Sequence, residues 1–595
     1  MPPQDTPLET IRAYHNRTKH RLDRYAAGPG YLDWDTQPDP FRRFAGCPLL
    51  PLPLSVAAGD ATLTAPASNP APLNHASVAQ LLELSLGLSA WKAAGPERWA
   101  LRCNPSSGNL HPTEGYVASW GVVGIPDGVH HYRADQHALE QRCAWDSQGH
   151  PPALLLGLSS IAQREAWKYG ERAFRYVQLD VGHALGAVGY AAATLGWQVH
   201  ICPAGDNTIA ALLGLDRNAD FANAEQEWPD LLVAVGPDPE PYWQRASWGD
   251  LAKAGRWQGQ ANRLSDLPRN AWPVIGEVAQ ACHSDAPAVT ETAAKMPSPP
   301  PDPPSPLLAP LIRQRRSAQA FDPSYSLAKK RFFALLRATL PEAGLPWSLW
   351  PLPPRLDLIL FVHRVEGLEP GLYLFSRGGG LEKRVREDWN PAPIEAAPEG
   401  LPLMRLTGSD ARKAARMLSC HQEIASSSAF SLGMLAPFDA VLHQDGPAAY
   451  RTLYWEAGLI GQALYLHAEA HGVRGTGIGC FFDDPVHELL GLRDDRFQSL
   501  YHFTVGAPKY DPRLQTFPPY THLEGERTEA LLAGIKGRIA VVFAEREKLK
   551  GVLDRGETSP HQGLAQLERI DRELSDLDSR YKAMWDALQP GGGGG

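Results

Sequence analysis

One apolar segment occurs twice in this chain, and it constrains the fold more than any other feature. The first copy, RYVQLDVGHALGAVGYAAATLGW, begins at Arg175 and leads to LLGL at Leu212 and LLVAVG at Leu231. The second, TLYWEAGLIGQALYLHAEAHGV, begins at Thr452 and leads to LLGL at Leu489 and YHFTVG at Tyr501. Setting Gly182 on Gly458 places the copies 276 residues apart and brings Gly196 onto Gly472; the LLGL pair lies at 277, one inserted residue later. Recurrence on this scale predicts two related domains in one chain. Asp180 and His183 interrupt the first copy, and Glu456, Gln462, His467 and Glu469 the second. These segments therefore read as buried helices at the centres of soluble domains and not as membrane spans.

The 595 residues, 43% of them hydrophobic, supply material for two or three cores. A net charge of −9 gives no general attraction to nucleic acid or anionic lipid, and neither partner is expected. Seven cysteines, at 47, 103, 143, 202, 282, 420 and 480, form no C-x-x-C pair. That usage suits a reducing compartment and argues against a disulfide framework or a zinc site. The opening MPPQDTPLET lacks the basic-then-apolar pattern of a secretion signal, so a cytoplasmic location is expected.

Residues 1–74, with YHNRTKH at Tyr14 and LDWDTQPDPFRRFAG at Leu32, read as an arm lying across the first domain. In the first domain, 75–283, SVAQLLELSLGLS from Ser77 has helical spacing. RCNPSSGNLHPTEGY is a loop entering a β-rich run, GVHHYRADQHALEQR is a strand, turn and strand, and Gln163–Phe174 is helical. Residues 284–310 are too proline-rich to pack and read as a linker. In the second domain, 311–520, the motif Arg315-Arg316-Ser317 is expected just before a helix. Gly371-Leu372-Tyr373 is expected to answer Gly128-Val129-His130, and Leu381-Glu382 to answer the strand at Leu139-Glu140. From 521 to 590, stripes at Leu531, Leu532, Ile535, Ile539, Val542 and at Leu564, Leu567, Ile570, Leu574, Leu577, Tyr581, Met584 predict an α-hairpin around a GETSP turn. The glycines 591–595 form a tail.

Three segments carry candidate chemistry. Guanidinium groups at Arg315 and Arg316 suit a phosphate, because their planar forks donate to two oxygens at once. Thr476-Gly477-Ile478-Gly479-Cys480 would let backbone amides approach a planar ligand. Pro105-Ser106-Ser107-Gly108-Asn109-Leu110-His111 offers small polar groups and free amides. Taken singly, each reads as an ordinary surface pair, cap or turn.

Together, Arg-Arg-Ser-x-x-x-Phe, Pro-Ser-Ser-x-Asn and a late Gly-Ile-Gly-x-Phe before Leu-Leu-Gly-Leu resemble the nitroreductase superfamily of FMN-dependent oxidoreductases over residues 75–515. That resemblance implies an α+β fold and homodimers with flavins at the subunit interface, one subunit giving the Arg-x-Ser and glycine segments and the other the Ser loop. Here the first half has the Ser loop but no Arg-Arg-Ser, and reads His200-Ile201-Cys202-Pro203 at the glycine segment. The second half has Arg-Arg-Ser and Gly-Ile-Gly, with LWPLPPRLDL in place of the Ser loop. The halves are complementary. The expectation is two fused nitroreductase-like domains forming an intramolecular pseudo-dimer, with a C-terminal helical hairpin and one FMN per chain.

By that resemblance Arg315, Arg316 and Ser317 hold the phosphate and Gln319 reaches the flavin's polar edge. Pro105, Ser106, Ser107 and Asn109 cover the ring, and Gly477, Ile478 and Gly479 face its N5 side. Lys509 and Arg513, in GAPKYDPR, complete the phosphate site or form a solvated turn. His111 either binds substrate or hydrogen-bonds the loop. A narrower resemblance lies in Trp167-Lys168-Tyr169-Gly170-Glu171-Arg172, SSGNLHPTEGY, YHNRTKH and LDWDTQP, which look like the azoline dehydrogenases of the SagB/thiazole-oxidase type. Those enzymes aromatise thiazolines and oxazolines in modified peptides, and the resemblance implies such a substrate and a peptide-modifying synthetase as partner. Lys168 and Tyr169 are the catalytic candidates, since ring oxidation needs a group to take a proton as hydride leaves. Three readings stay open: that dehydrogenase, an NAD(P)H-dependent nitro- or quinone reductase, and a scaffold that kept the fold without catalysis. Whether the hairpin dimerises is also open.

Overall fold

The computed structural model describes residues 6–588 apart from 56–58, 147–150, 245–246, 266–270, 287–304, 343, 395–396, 399 and 524. Most of the proline-rich linker and the glycine tail thus lie outside the described residues. The repeated segments form helix α1, Ala173–Ala193, and helix α2, Ala449–Ala470. Every one of the 21 residues of α1 is buried, so the helix is an interior element with no solvent face.

Each half builds an antiparallel sheet. The first contains β1 (Thr113–Trp120), β2 (Gly128–Arg133), β3 (Ala138–Ala144), β4 (Ala153–Ser160), β5 (Gln198–Ile201) and β6 (Trp228–Gly236), side by side as β3-β2-β1-β4-β6-β5. The second contains β7 (Asp357–Val362), β8 (Gly371–Phe375), β9 (Leu403–Thr407), β10 (Phe430–Ala436), β11 (Arg474–Ile478) and β12 (Gln498–Gly506), in the order β9-β8-β7-β10-β12-β11. The order is the same in both halves, with α1 between β4 and β5 and α2 between β10 and β11. This is the expected pair of fused α+β domains.

The halves join where α1 crosses α2. A Cβ on Gly182 would run into the Trp455 backbone, and one on Gly458 would stand 2.8 Å from Gly182 Cα. The two glycines matched by the repeat therefore touch each other at the crossing, and only hydrogen there permits the approach. Hydrogen bonds and ion pairs bridge the halves here: Trp455 Nε1 donates to Gln178 Oε1 (2.6 Å), and Arg175 bonds Asp483 Oδ1 (2.8 Å). The domains also exchange tails. Gln515–Phe517 of the second half adds an antiparallel strand to the first-half hairpin Leu88–Ala94/Glu97–Arg102. The N-terminal helix Pro7–Arg17 bonds Tyr450 through His15 and Asp439 through Arg12. Beyond it the arm covers the first domain, where Trp167 Nε1 donates to Thr36 Oγ1 and Arg164 Nε to the Asp39 carbonyl.

Three local expectations are corrected. Leu381–Asp388 is a helix, not a strand. The Asp357 carboxylate accepts backbone N–H groups from Arg377, Gly378, Gly379 and Leu381, which turns the chain, and Gly380, at φ +85°, precedes the helix. Strand β9 takes the place beside β8 instead. Arg315-Arg316-Ser317 follows a helix, Leu308–Gln314, and the next one starts only at Lys329. That first helix also begins inside the expected linker, since Leu308 is buried and its N–H bonds the Ala61 carbonyl.

At the C-terminus, α3 (Gly525–Asp554) and α4 (Pro560–Leu588) form the expected hairpin around Leu532, Ile535, Val542, Leu577 and Met584. Leu564 points to solvent, and the Leu531 side chain lies outside the described residues. Arg580 ties α4 to the Ser55 carbonyl of the arm.

The glycine crossing makes a direct test. Gly458→Ala should lower stability by about 1–3 kcal/mol in denaturant unfolding, because the backbone on the facing helix cannot yield. Gly276→Ala, in the helix Pro273–Ala281 with open space around it, should instead be neutral or stabilising by about 0.5–1 kcal/mol.

Candidate active site

A cavity of about 1070 Å³ lies between the domains. The first supplies the loop Pro105–Asn109, and the second supplies Arg315–Gln319, Gly477–Cys480 and Lys509. Arg315, Arg316, Ser317, Gln319, Pro105, Ser106, Ser107, Asn109, Gly477, Ile478, Gly479, Lys509 and Tyr169 all lie on its wall. Two expected residues do not. Arg513 is 85% exposed and paired with Asp511. Lys168 is partly buried behind the wall, its ammonium 5.9 Å from the Trp34 ring centroid and 5.5 Å from that of Tyr169.

The Ser loop holds its shape by its own polar groups. Gly108, Asn109 and His111 all have φ between +52° and +60°. Ser106 Oγ accepts the His111 N–H (2.8 Å), and Asn109 Nδ2 donates to the Ala100 carbonyl (2.9 Å). Ser107 donates through its N–H (3.0 Å) and hydroxyl (2.9 Å) to Asp180 of α1. A Cβ on Gly108 would stand 2.5 Å from the Tyr169 hydroxyl, so the loop rests directly on that phenol.

Opposite the loop the wall is basic. Arg315 is 4% exposed; its Nε and Nη2 reach the carbonyls of Cys103 and Arg102, while Nη1 has no partner. The Arg316 guanidinium is spent on the carbonyls of Arg313, Arg315 and Ser89. Burial, then the Arg315 charge, brings Arg316 down to about 10; burial, then Arg316 and Arg474, lowers Lys92. Six cationic side chains and two carboxylates line the cavity of a chain whose net charge is −9. Crowded, desolvated cations with an open guanidinium N–H fit an anionic group.

Tyr465 organises this side. Its hydroxyl bonds Ser317 Oγ (2.9 Å) and accepts the Gly477 N–H (3.1 Å), and its ring lies under Arg315. The glycines have a reason beyond ligand approach. A side chain on Gly477 would collide with Tyr501, and one on Gly479 with Tyr176. Both rings reach the cavity, as do Tyr25, Trp99 and Tyr169, giving flat apolar walls suited to an aromatic ligand.

Several residues on or near the wall were not among the sequence candidates. Asp180 is buried, and desolvation raises it to about 7 despite its bonds to Ser106 and Ser107. Its signal was present, as a carboxylate interrupting an apolar helix. Nearby Glu165 is fully buried with both oxygens unpartnered, and burial and Asp180 push it well above the usual carboxylate range. Tyr465, Lys92, Arg474, Cys420 and Cys480 also line the cavity.

The pseudo-symmetric position is filled by protein. The α2 residue matching Asp180 is Glu456, whose carboxylate accepts the Arg355 N–H (2.9 Å) and Arg377 Nη1 (2.7 Å). The Arg377 guanidinium lies over the buried Trp347 ring, and the turn Trp347–Leu349 packs against β5. Beside α1 there is a cavity; beside α2 an arginine and a tryptophan stand against the matching carboxylate.

Because Asp180 is raised when folded, the native state holds a proton that the unfolded chain has released above pH 3.8. Stability contributed at this residue therefore falls as pH rises from about 4 to about 7. Thermal unfolding of wild type and Asp180→Asn across that range should show the wild type losing ground to the variant with rising pH. A pH-independent difference would contradict the assignment.

Comparison with known proteins agrees with this architecture. The profile described as "Nitroreductase family" matches residues 372–507. "Putative nitroreductase MJ1384" of Methanocaldococcus jannaschii is 32% identical over 170 residues, which span 26% of this chain and 80% of that protein. Among solved structures, a "putative nitroreductase" from Anabaena variabilis superposes with a TM-score of 0.61 at 22% identity, covering 84% of this chain and 99% of its own. This chain belongs to the nitroreductase family.

Proposed function

We propose that this oxidoreductase binds one FMN per chain in the composite cavity and dehydrogenates azoline rings of modified peptides, or carries out a closely related two-electron oxidation. The observation that carries the reading is the cavity itself, with the Ser loop of one domain facing the Arg-x-Ser and glycine segments of the other across aromatic walls. The residues fit the cofactor. The unpartnered Arg315 Nη1, with Ser317 and Lys509 on the same wall, suits the phosphate. Arg316 props this wall through backbone carbonyls, and Gln319 is left for the ring's polar edge. Pro105, Ser106 and Asn109 would cover the ring from the other domain, with Gly477, Ile478 and Gly479 towards N5. Bound there, FMN supplies the two-electron acceptor that ring oxidation needs.

The chain's own residues handle the proton. Burial, with Glu165 beside it, keeps the proton on the Tyr169 phenol, so it takes a substrate proton by passing its own inward towards Lys168. Lys168 lies behind that ring, lowered by burial, and acts through Tyr169 and not by touching substrate. Asp180, poised near neutrality under the Ser loop, is a further place for the proton to rest. A peptide bearing the heterocycle is the proposed substrate, and the synthetase that makes the heterocycle the proposed partner.

A nitro- or quinone reductase fed by NAD(P)H is the second reading, favoured by the name of the M. jannaschii relative. Rapid bleaching of the flavin by NADPH would favour it over the dehydrogenase. Protein that stays colourless after FMN is added would point to a scaffold and end both enzyme readings.

Flavin absorbance should give one FMN per chain, with Arg315→Ala and Ser106→Ala each weakening binding about 10-fold or more although they lie in different domains. Two flavins per chain would contradict the filled second position. On a thiazoline peptide, Tyr169→Phe and Lys168→Met should each lower kcat about 100-fold with flavin content unchanged. Unaltered turnover in both would remove the pair from the mechanism.

A further inference from the structure

Two of the cavity's wall residues are cysteines from separate segments. Cys420 follows the helix Arg412–Leu418, and Cys480 follows β11. The Phe482 N–H donates to the Leu418 carbonyl (2.8 Å), and the Gln422 amide donates to the carbonyls of Ser419 (2.9 Å) and Cys480 (3.0 Å). These bonds hold the two segments side by side, and both cysteines stand on the same stretch of cavity wall, close enough that each thiol shifts the other's titration. Cys420 and His421 both adopt left-handed backbone, at φ +50° and +60°. Two consecutive non-glycine residues in that region are costly, and such strain is kept where surrounding contacts impose it.

We propose that Cys420 and Cys480 form a reversible dithiol–disulfide centre in the cavity wall, oxidised by hydrogen peroxide or a small organic hydroperoxide. The Cys480 sulfur attacks peroxide oxygen; an S–O bond forms, the O–O bond breaks, and the departing hydroxide takes up a proton to leave as water. Cys420 then attacks the sulfenic sulfur, an S–S bond replaces the S–O bond, and the second water leaves with the Cys420 proton. Two thiols lose two electrons to one peroxide, giving one disulfide and two waters.

The surroundings distinguish this pair from the chain's other thiols. Cys47, Cys103, Cys143, Cys202 and Cys282 are all raised by burial. Cys480 alone is lowered, first by the Cys420 thiol, then by His20 and Arg172 against the opposing effect of burial. The His20 Nδ1 accepts the Ala26 N–H (3.0 Å), which puts the ring proton on Nε2, and His20 and Arg172 both favour the Cys480 thiolate. Both thiols are half-buried and open onto the cavity, so a small oxidant can reach them. Closing the bond would fasten the wall segment at Gly479 to the loop at Gln422. None of this depends on the bound cofactor.

The test uses the full chain, reduced and freed of reductant, treated with one equivalent of hydrogen peroxide at neutral pH. Thiols are counted after denaturation and peptides mapped without reduction. The expected result is loss of two of the seven thiols, one Cys420–Cys480 cross-link, and recovery with dithiothreitol. Cys420→Ser should stop at a dimedone-reactive Cys480, and Cys480→Ser should leave Cys420 reduced. Seven surviving thiols in the wild type, a cross-link elsewhere, or sulfinic acid at Cys480 beside a free Cys420 would overturn the proposal.

Discussion

The meeting of Gly182 with Gly458 is the contact on which the rest of the molecule depends. Two long helices can bring their backbones together only where both lack a side chain, and here each glycine fills the space left by the other. That approach sets the relation between the sheets, and through it the distance between the Ser loop on one domain and Arg315 on the other. The loop is anchored to α1 by Asp180, and the opposite wall is anchored to α2 by Tyr465. A displacement of the crossing would move both walls at once.

The same framework carries two outcomes. Beside α1 a buried carboxylate faces a cavity and is raised by desolvation. Beside α2 its counterpart Glu456 is satisfied by Arg377 and the Arg355 N–H, and the volume is packed with tryptophan. Matching strand orders thus coexist with two different fillings, because what stands in each corner is decided by a handful of side chains while the sheets and helices follow the same order in both halves.

Much of this was legible from sequence. Spacing of 276 residues predicted that Gly182 and Gly458 are equivalent, and the split of motifs between halves predicted where the cavity closes. Other features were hidden by interactions that pattern does not encode. Leu381 looked like a strand by analogy with Leu139, yet four N–H groups gathered by Asp357, distant in sequence, turn that segment into a helix. The azoline-dehydrogenase resemblance pairs Lys168 with Tyr169, but neighbours on one helix face different ways, and only the tyrosine reaches the cavity. Cys420 and Cys480, 60 residues apart, share no motif; their segments come together only where Phe482 bonds Leu418.

The exchanged strand Gln515–Phe517 has a mechanical consequence. Thr516 lies on the cavity wall and holds the Lys92 ammonium at 2.6 Å, and the chain leads from there through Tyr520 into the hairpin of α3 and α4. Because α4 is also pinned to the arm by Arg580, the appendage is joined to the body of the molecule at two places. Only a short stretch of chain separates Thr516 on the wall of the basic corner from the first turn of α3, so the appendage and the binding chamber are neighbours along the backbone as well as in space.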